Sequence, residues 1–296
     1  MSICVQCPRA CGVERNHSCT GFCGVPDTFR VARASLHFWE EPFISGKRGS
    51  GTVFFSGCNL QCVFCQNREI SGGKLGKDID AGALEELFFR LRDAGAHNIN
   101  LVTPSHYAMQ LRSVLERIKD RLIIPIVYNC GGYERLETLR SLEGLIDIYL
   151  PDLKYYSSAL SEKYSGAADY FAVASQAIGE MIRQTGKPSF DADGMMKKGV
   201  VVRHLVLPGA RQDSIQVLSA LHELFGSDSF LLSLMNQYTP DFAKQCPYPE
   251  LHRRLTTFEY QSVLNKAEQL GFEGCIQGRD AANASYTPDF YEQSFL

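Results

Sequence analysis

The chain lacks any long run of one charge. Its net charge is about −3 over 296 residues, with no extended basic stretch, which argues against nucleic acid as a partner. A hydrophobic run long enough to cross a bilayer is missing as well, because stretches such as Arg121 to Val127 are short and interrupted. The opening Met1-Ser2-Ile3-Cys4 has neither the charged nor the apolar region of a signal peptide. The expected address is therefore cytoplasmic, with no membrane partner. Repeats and low-complexity tracts are absent too. What remains is a composition of 45% hydrophobic and 21% charged residues, suited to one large α/β domain with a small appendage.

Cysteine breaks this plainness. There are eleven, and eight of them precede residue 66. A disulfide framework explains that poorly in a reducing compartment, whereas ligation of a metal or cluster explains it well. Residues 1 to about 28 hold Cys4, Cys7, Cys11, Cys19 and Cys23 among glycines, without apolar periodicity. Such a stretch needs a metal or cluster to organise it. Four thiolates, Cys4, Cys7, Cys11 and Cys23 with Cys19 as an alternative fourth, suit either a structural zinc or a fully ligated [4Fe–4S] cluster. The second group is Cys58, Cys62 and Cys65. Three thiolates so close can hold three corners of a cubane cluster and leave its fourth iron open. A zinc knuckle would want a fourth ligand, and no cysteine or histidine follows within thirty residues. Cys130, Cys246 and Cys275 stand alone and read as non-ligands.

From residue 50 onward the pattern alternates strand and helix. Strands are predicted at 52–56, 98–102, 123–128, 146–150, 200–207 and 230–234. Helices are predicted near 81–94, 107–120, 168–183, 213–225 and 257–270, with a hairpin turning at 191–194. Six βα units call for a parallel sheet, which divides the chain into a cysteine-rich module and lead-in (1–49) and a barrel-type body (50–296). Periodicity leaves open whether the barrel closes. In such sheets functional groups gather at the C-terminal strand ends, where the cysteine triplet, Asn129, Asp152, Lys154, His204 and Asn236 fall. Trp39-Glu40-Glu41-Pro42 reads as a packed lead-in, with a substrate wall as the alternative. Gly72 to Lys77 lacks the Walker spacing and reads as a turn.

The string Cys58-Asn59-Leu60-Gln61-Cys62-Val63-Phe64-Cys65 resembles the Cys-x3-Cys-x-aromatic-Cys signature of the radical S-adenosylmethionine (SAM) superfamily. The likeness extends through Val127 to Glu134, Tyr149 to Lys154, Arg203 to Gly209 and Met235 to Pro240, and through the head Cys7-Pro8-Arg9-Ala10-Cys11-Gly12. It covers nearly the whole chain and is similar to the pyruvate formate-lyase activating enzyme-like proteins of the PflX type. The resemblance implies an α/β fold of the (β/α)6 partial TIM-barrel type with a small N-terminal cysteine-rich module. It implies a [4Fe–4S] cluster on Cys58, Cys62 and Cys65 with SAM on the open iron, and a second [4Fe–4S] cluster or zinc on the N-terminal cysteines. An electron passed into SAM would release a 5′-deoxyadenosyl radical that abstracts hydrogen from a substrate.

By the same resemblance, Lys154 would meet the SAM carboxylate with Asp152 and Asn129 nearby. Where relatives carry an Asp-Thr pair after the third strand, this chain has Asn129-Cys130, which bears on monovalent-cation binding. Where relatives carry Gly-Gly-Glu for the SAM amino group, Thr103-Pro104-Ser105-His106 stands here, making Thr103 and Ser105 the candidates. His204 either faces SAM or is a core histidine. The implied partners are a glycyl radical enzyme as protein substrate and a flavodoxin or ferredoxin as reductant. Radical modification of a metabolite, peptide or RNA, or an iron–sulfur carrier or assembly role without turnover, are the alternatives.

Overall fold

A computed structural model describes residues 3–16, 18–278 and 288–291. The expectations for Met1-Ser2 and for most of the extension past residue 278 lie outside them. The strands are β1 (Phe29–His37), β2 (Ser50–Phe55), β3 (Lys77–Ile79), β4 (Ile99–Val102), β5 (Ile126–Cys130), β6 (Ile148–Pro151), β7 (Ser189–Phe190), β8 (Met196–Leu205), β9 (Leu231–Met235) and β10 (Gly274–Ile276). The helices are α1 (Pro42–Ser45), α2 (Arg68–Ser71), α3 (Ala81–Asp93), α4 (Ala108–Leu122), α5 (Leu136–Ser141), α6 (Ser158–Ser165), α7 (Tyr170–Thr185), α8 (Arg211–Phe225) and α9 (Thr257–Gln269).

Local chemistry explains the helices that cover the sheet. Asp80 caps α3 by accepting from the Ala83 N–H at 2.8 Å, and Leu84, Leu87, Phe88 and Leu91 form its buried stripe. Thr256 and Glu259 close a capping box at the start of α9. Complete burial of one such side chain, Phe88, contributes roughly 1.5–3 kcal/mol.

The sheet runs β10-β9-β8-β6-β5-β4-β2-β1-β3, with β7 paired to β8. From β2 to β10 every neighbouring pair along this path is parallel, and β1 and β3 are added antiparallel. Among the described residues its ends, β10 and β3, do not pair with each other, so the sheet stays open. Each predicted parallel strand is present. The sequence pattern missed β1, whose alternation is broken by a bulge between Val31 and Arg33. Among the described residues no helix is long and apolar enough to cross a membrane.

Strand alternation gives the sheet two unlike faces. One packs under the helices through Phe55, Leu101, Tyr128, Tyr149, Val202 and Leu234. The other closes at its lower end around Ile44 of α1 with Val127, Ile148 and Val201. Higher on this inner face the residues turn polar, with Asn129, Asp152 and Arg203 reaching a cavity at the C-terminal strand ends.

The turn after β5 passes close under the turn after β6. Gly132 has φ 78°, and a Cβ there would lie 2.1 Å from the Asp152 carbonyl oxygen. Gly132→Ala should therefore destabilise the fold by about 2 kcal/mol or more, read as a lowered urea midpoint.

Candidate functional site

The loop after β2 presents the cysteine triplet. Its shape is held from several directions. The Asn59 amide donates to the Tyr133 carbonyl at 2.7 Å, the Val63 N–H to the Tyr164 carbonyl at 3.0 Å, and the Gln61 amide to the Phe22 carbonyl at 2.6 Å. Phe64, the aromatic of the signature, is buried edge-on against Tyr155, Tyr164 and Tyr238. Two sulfurs already accept hydrogen bonds: Cys58 Sγ from the Leu60 N–H at 3.3 Å, and Cys62 Sγ from the Ser165 hydroxyl at 3.0 Å.

All three thiols line one cavity. Among the described residues no three His, Cys, Asp or Glu side chains converge to hold a single metal ion. Thiolates bound to the separate irons of a cubane stand farther apart than the ligands of one ion, so three thiols that line one cavity without converging on a single point suit a cluster. Burial pushes the Cys58 thiol up to about 11 and the Cys65 thiol up to about 12. A bound cationic centre reverses that preference by replacing the protons, so the donor set fits an iron–sulfur cluster.

The facing wall comes from β4, β5, β6 and β8. Thr103, Asn129, Asp152 and Lys154 all line the cavity. The Thr103 N–H donates to the Asn129 carbonyl at 2.8 Å, and Thr103 itself has φ 58°. Lys154 pairs with Asp152 Oδ2. The sequence reading passed over Arg203, although it supplies the other half of this wall. Its Nε donates to Asp152 Oδ1 at 2.9 Å and its Nη2 to Asn129 Oδ1 at 2.6 Å, while Nη1 lies 3.4 Å from Glu40 Oε2. Burial would raise the Asp152 carboxyl, but Arg203 and Lys154 together hold it below the usual range. Both Asp152 oxygens are thus engaged by the chain's own cations. Glu40 belongs to the segment read as a packed lead-in with a substrate wall as the alternative. It accepts from the Asn129 amide at 3.3 Å, so this segment reaches the site.

Two expected SAM contacts fall elsewhere. His204 follows Arg203 on β8, so alternation turns it away from the cavity. Its ring is buried, Nδ1 lies 2.7 Å from the Leu153 carbonyl, and burial lowers its pKa to about 4. It is a core histidine. Ser105 starts a short 3-10 turn and donates to Glu134 beneath the wall. Asn236 lines a different cavity.

At the N-terminus, Cys7 is buried and its thiol is pushed up to about 12, by burial first and then by Glu134, Cys11 and Cys4. Cys11 Sγ accepts from the Phe22 N–H at 3.3 Å. Cys19 is exposed. Cys23 sits in the main core, with Arg15 Nη1 at 3.5 Å from its sulfur. Arg9, within the Cys7-Pro8-Arg9 head, fastens this module to the triplet loop. It donates to the Asn59 and Ser165 carbonyls, each at 2.8 Å, and to that of Gly166, with its guanidinium 4.0 Å from the centre of the Phe22 ring.

Comparison with known proteins agrees with this geometry. Residues 45–163 match the 4Fe-4S single cluster domain model. The chain is 28% identical over 279 residues to the uncharacterized protein MJ0674 of Methanocaldococcus jannaschii, covering 91% of this chain and 75% of the relative. Its fold is similar to Streptococcus suis SuiB bound to the precursor peptide SuiA, with a TM-score of 0.53 at 13% identity over 75% of this chain and 46% of that one. It is also similar to methylornithine synthase (PylB), with a TM-score of 0.50 at 18% identity over 74% and 60% of the two chains. The chain thus spans less than two thirds of either solved structure, and what it shares with them is the partial-barrel fold.

Two measurements test the wall. Arg203→Met leaves Asp152 to Lys154 alone and Glu40 without its cation, and should cost about 3 kcal/mol or more of stability, with Glu40→Gln recovering part of it in the double variant. Burial raises Glu134 to about 7 from an ordinary 4.5, against hydrogen bonds from Ser105 and Tyr128 that lower it. The folded chain therefore keeps a proton there that the unfolded chain gives up. This contribution is full below about pH 4.5 and is lost as pH rises through about 7, up to about 3 kcal/mol. Urea midpoints of Glu134→Gln should fall less than those of the parent between these limits.

Proposed function

We propose that this chain is a radical SAM protein that cleaves SAM reductively for hydrogen abstraction, a reading that its fold and its match to the single-cluster domain support. The observation that carries the reading is one cavity lined by three thiols of one loop on one side and by Thr103, Asn129, Asp152 and Lys154 on the other. Cys58, Cys62 and Cys65 would hold a [4Fe–4S] cluster. When bound, the cluster and SAM together supply an electron and a 5′-deoxyadenosyl radical.

The chain's part is to bind, orient and exclude water. Lys154 offers its ammonium to the SAM carboxylate, and Asp152 keeps that ammonium charged and in place. Thr103 offers its hydroxyl or its carbonyl to the SAM amino group. Arg203 braces Asp152 and Asn129 from behind. Leu60, Phe64, Leu205 and Tyr238 form the apolar part of the wall. Cys4, Cys7 and Cys11, with Cys23 or Cys19 as the fourth, would hold a second cluster or zinc that orders the N-terminal module. The closest functional fit is activation of a glycyl radical enzyme, with flavodoxin or ferredoxin as reductant.

The test is anaerobic reconstitution with iron and sulfide, then dithionite and SAM. 5′-Deoxyadenosine should form, and Cys58→Ala, Cys62→Ala and Cys65→Ala should each reduce it to background. SAM left intact beside a well-formed reduced cluster would point to an electron carrier and overturn the reading.

A further inference from the structure

A second chamber of about 310 Å³ adjoins the cysteine-lined cavity, at the lower end of the size of small-molecule sites. The two share Gln66, Arg203, Met235 and Gln237 as walls, and Gln66 directly follows Cys65. Its remaining lining includes His37, Trp39, Glu40, Glu41, Ser233 and Gln277.

The charges facing this chamber do not balance. Glu40 and Glu41 come from the segment between β1 and α1, and Arg203 comes from β8. His37 adds no charge, since burial lowers its pKa to about 4. Arg203 spends Nε on Asp152 and Nη2 on Asn129, leaving only Nη1, 3.4 Å from Glu40. Glu41 is more than nine-tenths buried, and its Oε2 has no hydrogen-bond partner. A buried carboxylate oxygen without a donor is costly, and on a residue that lines a cavity it favours a ligand that brings the missing donor. Trp39 adds an aromatic face to the same chamber, and indole is the best of the ring partners for a cation.

We infer that this chamber binds a positively charged nitrogen group of the substrate, a primary ammonium or a guanidinium, against Glu41, Glu40 and the Trp39 ring. The inference rests on the proposed function for calling that ligand the substrate. Burial raises both carboxyls, and an arriving cation supplies the counter-charge that returns them to carboxylates. An anionic group would meet two acids and an already committed guanidinium.

Trp39 is the one tryptophan of the chain, so its emission reports on the chamber directly. Titrating n-butylammonium or n-butylguanidinium into the full chain should shift that emission saturably, while n-butanol and butyrate should not. Glu41→Gln, with folding checked by circular dichroism, should weaken the apparent affinity roughly ten- to hundredfold. If that variant does not fold, Glu40→Gln makes the same measurement. An equal response to n-butanol, no saturable response to either cation, or unchanged affinity in the folded variant would overturn the inference. The titration needs neither cluster nor SAM turnover. Absence of 5′-deoxyadenosine would therefore sink the proposed function and leave this result standing, and the reverse holds as well.

Discussion

One guanidinium organises the inner face of this sheet. Arg203 reaches Asn129 on β5, Asp152 just past β6 and Glu40 ahead of α1. Without it, Asp152 would be a buried acid shared with Lys154 alone. With it, Asp152 stays ionised and Lys154 keeps a fixed place on the cavity wall. Isolated buried charges are expensive, and the cost is offset only when geometry is good and the remaining polar atoms are partnered. Here the side chains of three strand regions and one loop meet that condition together, which ties the shape of the cavity to a single electrostatic cluster.

Much of this was legible in the sequence. The βα alternation announced a parallel sheet, and the cysteine spacing marked the loop after its first parallel strand. Strand-end residues picked out Asn129, Asp152 and Lys154 correctly as cavity-lining. Parity was the weak point. On β8 the choice between Arg203 and His204 depends on which face each side chain takes, and one residue of register reverses the answer. An arginine closing the run Val200-Val201-Val202 was the available signal, because a cation in so apolar a strand needs buried acids. Glu40 could not be found by periodicity, since its loop folds back across the sheet through contacts distant in sequence. Ser105 failed for a similar reason, as its partner Glu134 belongs to another turn.

The N-terminal module looks separate by composition, yet it is fastened to the triplet loop by one side chain. Arg9 touches the carbonyls of Asn59 and Ser165, each adjacent to a group that shapes the thiol environment: Cys58 in one case, and in the other the Ser165 hydroxyl that donates to Cys62. The head Cys7-Pro8-Arg9 therefore joins two cysteine groups that the sequence alone presents as independent. Rings stacked around it, Phe22 and Tyr133, keep the guanidinium oriented.

Between β6 and β8 the backbone ladder is short. It pairs Ile148 with Gly199 and Tyr149 with Val200, then lapses, and resumes as one bridge between Asp152 and Arg203. Pro151, inside that lapse, has no N–H to give. The sheet is thereby narrowed between two leaves, β2-β4-β5-β6 and β8-β9-β10, which above the gap are joined by the Leu153 N–H donating to the Arg203 carbonyl at 2.9 Å and by the Asp152–Arg203 ion pair. The ion pair at this seam also faces the cavity, so a ligand's charge beside Arg203 bears on the contact that joins the two leaves.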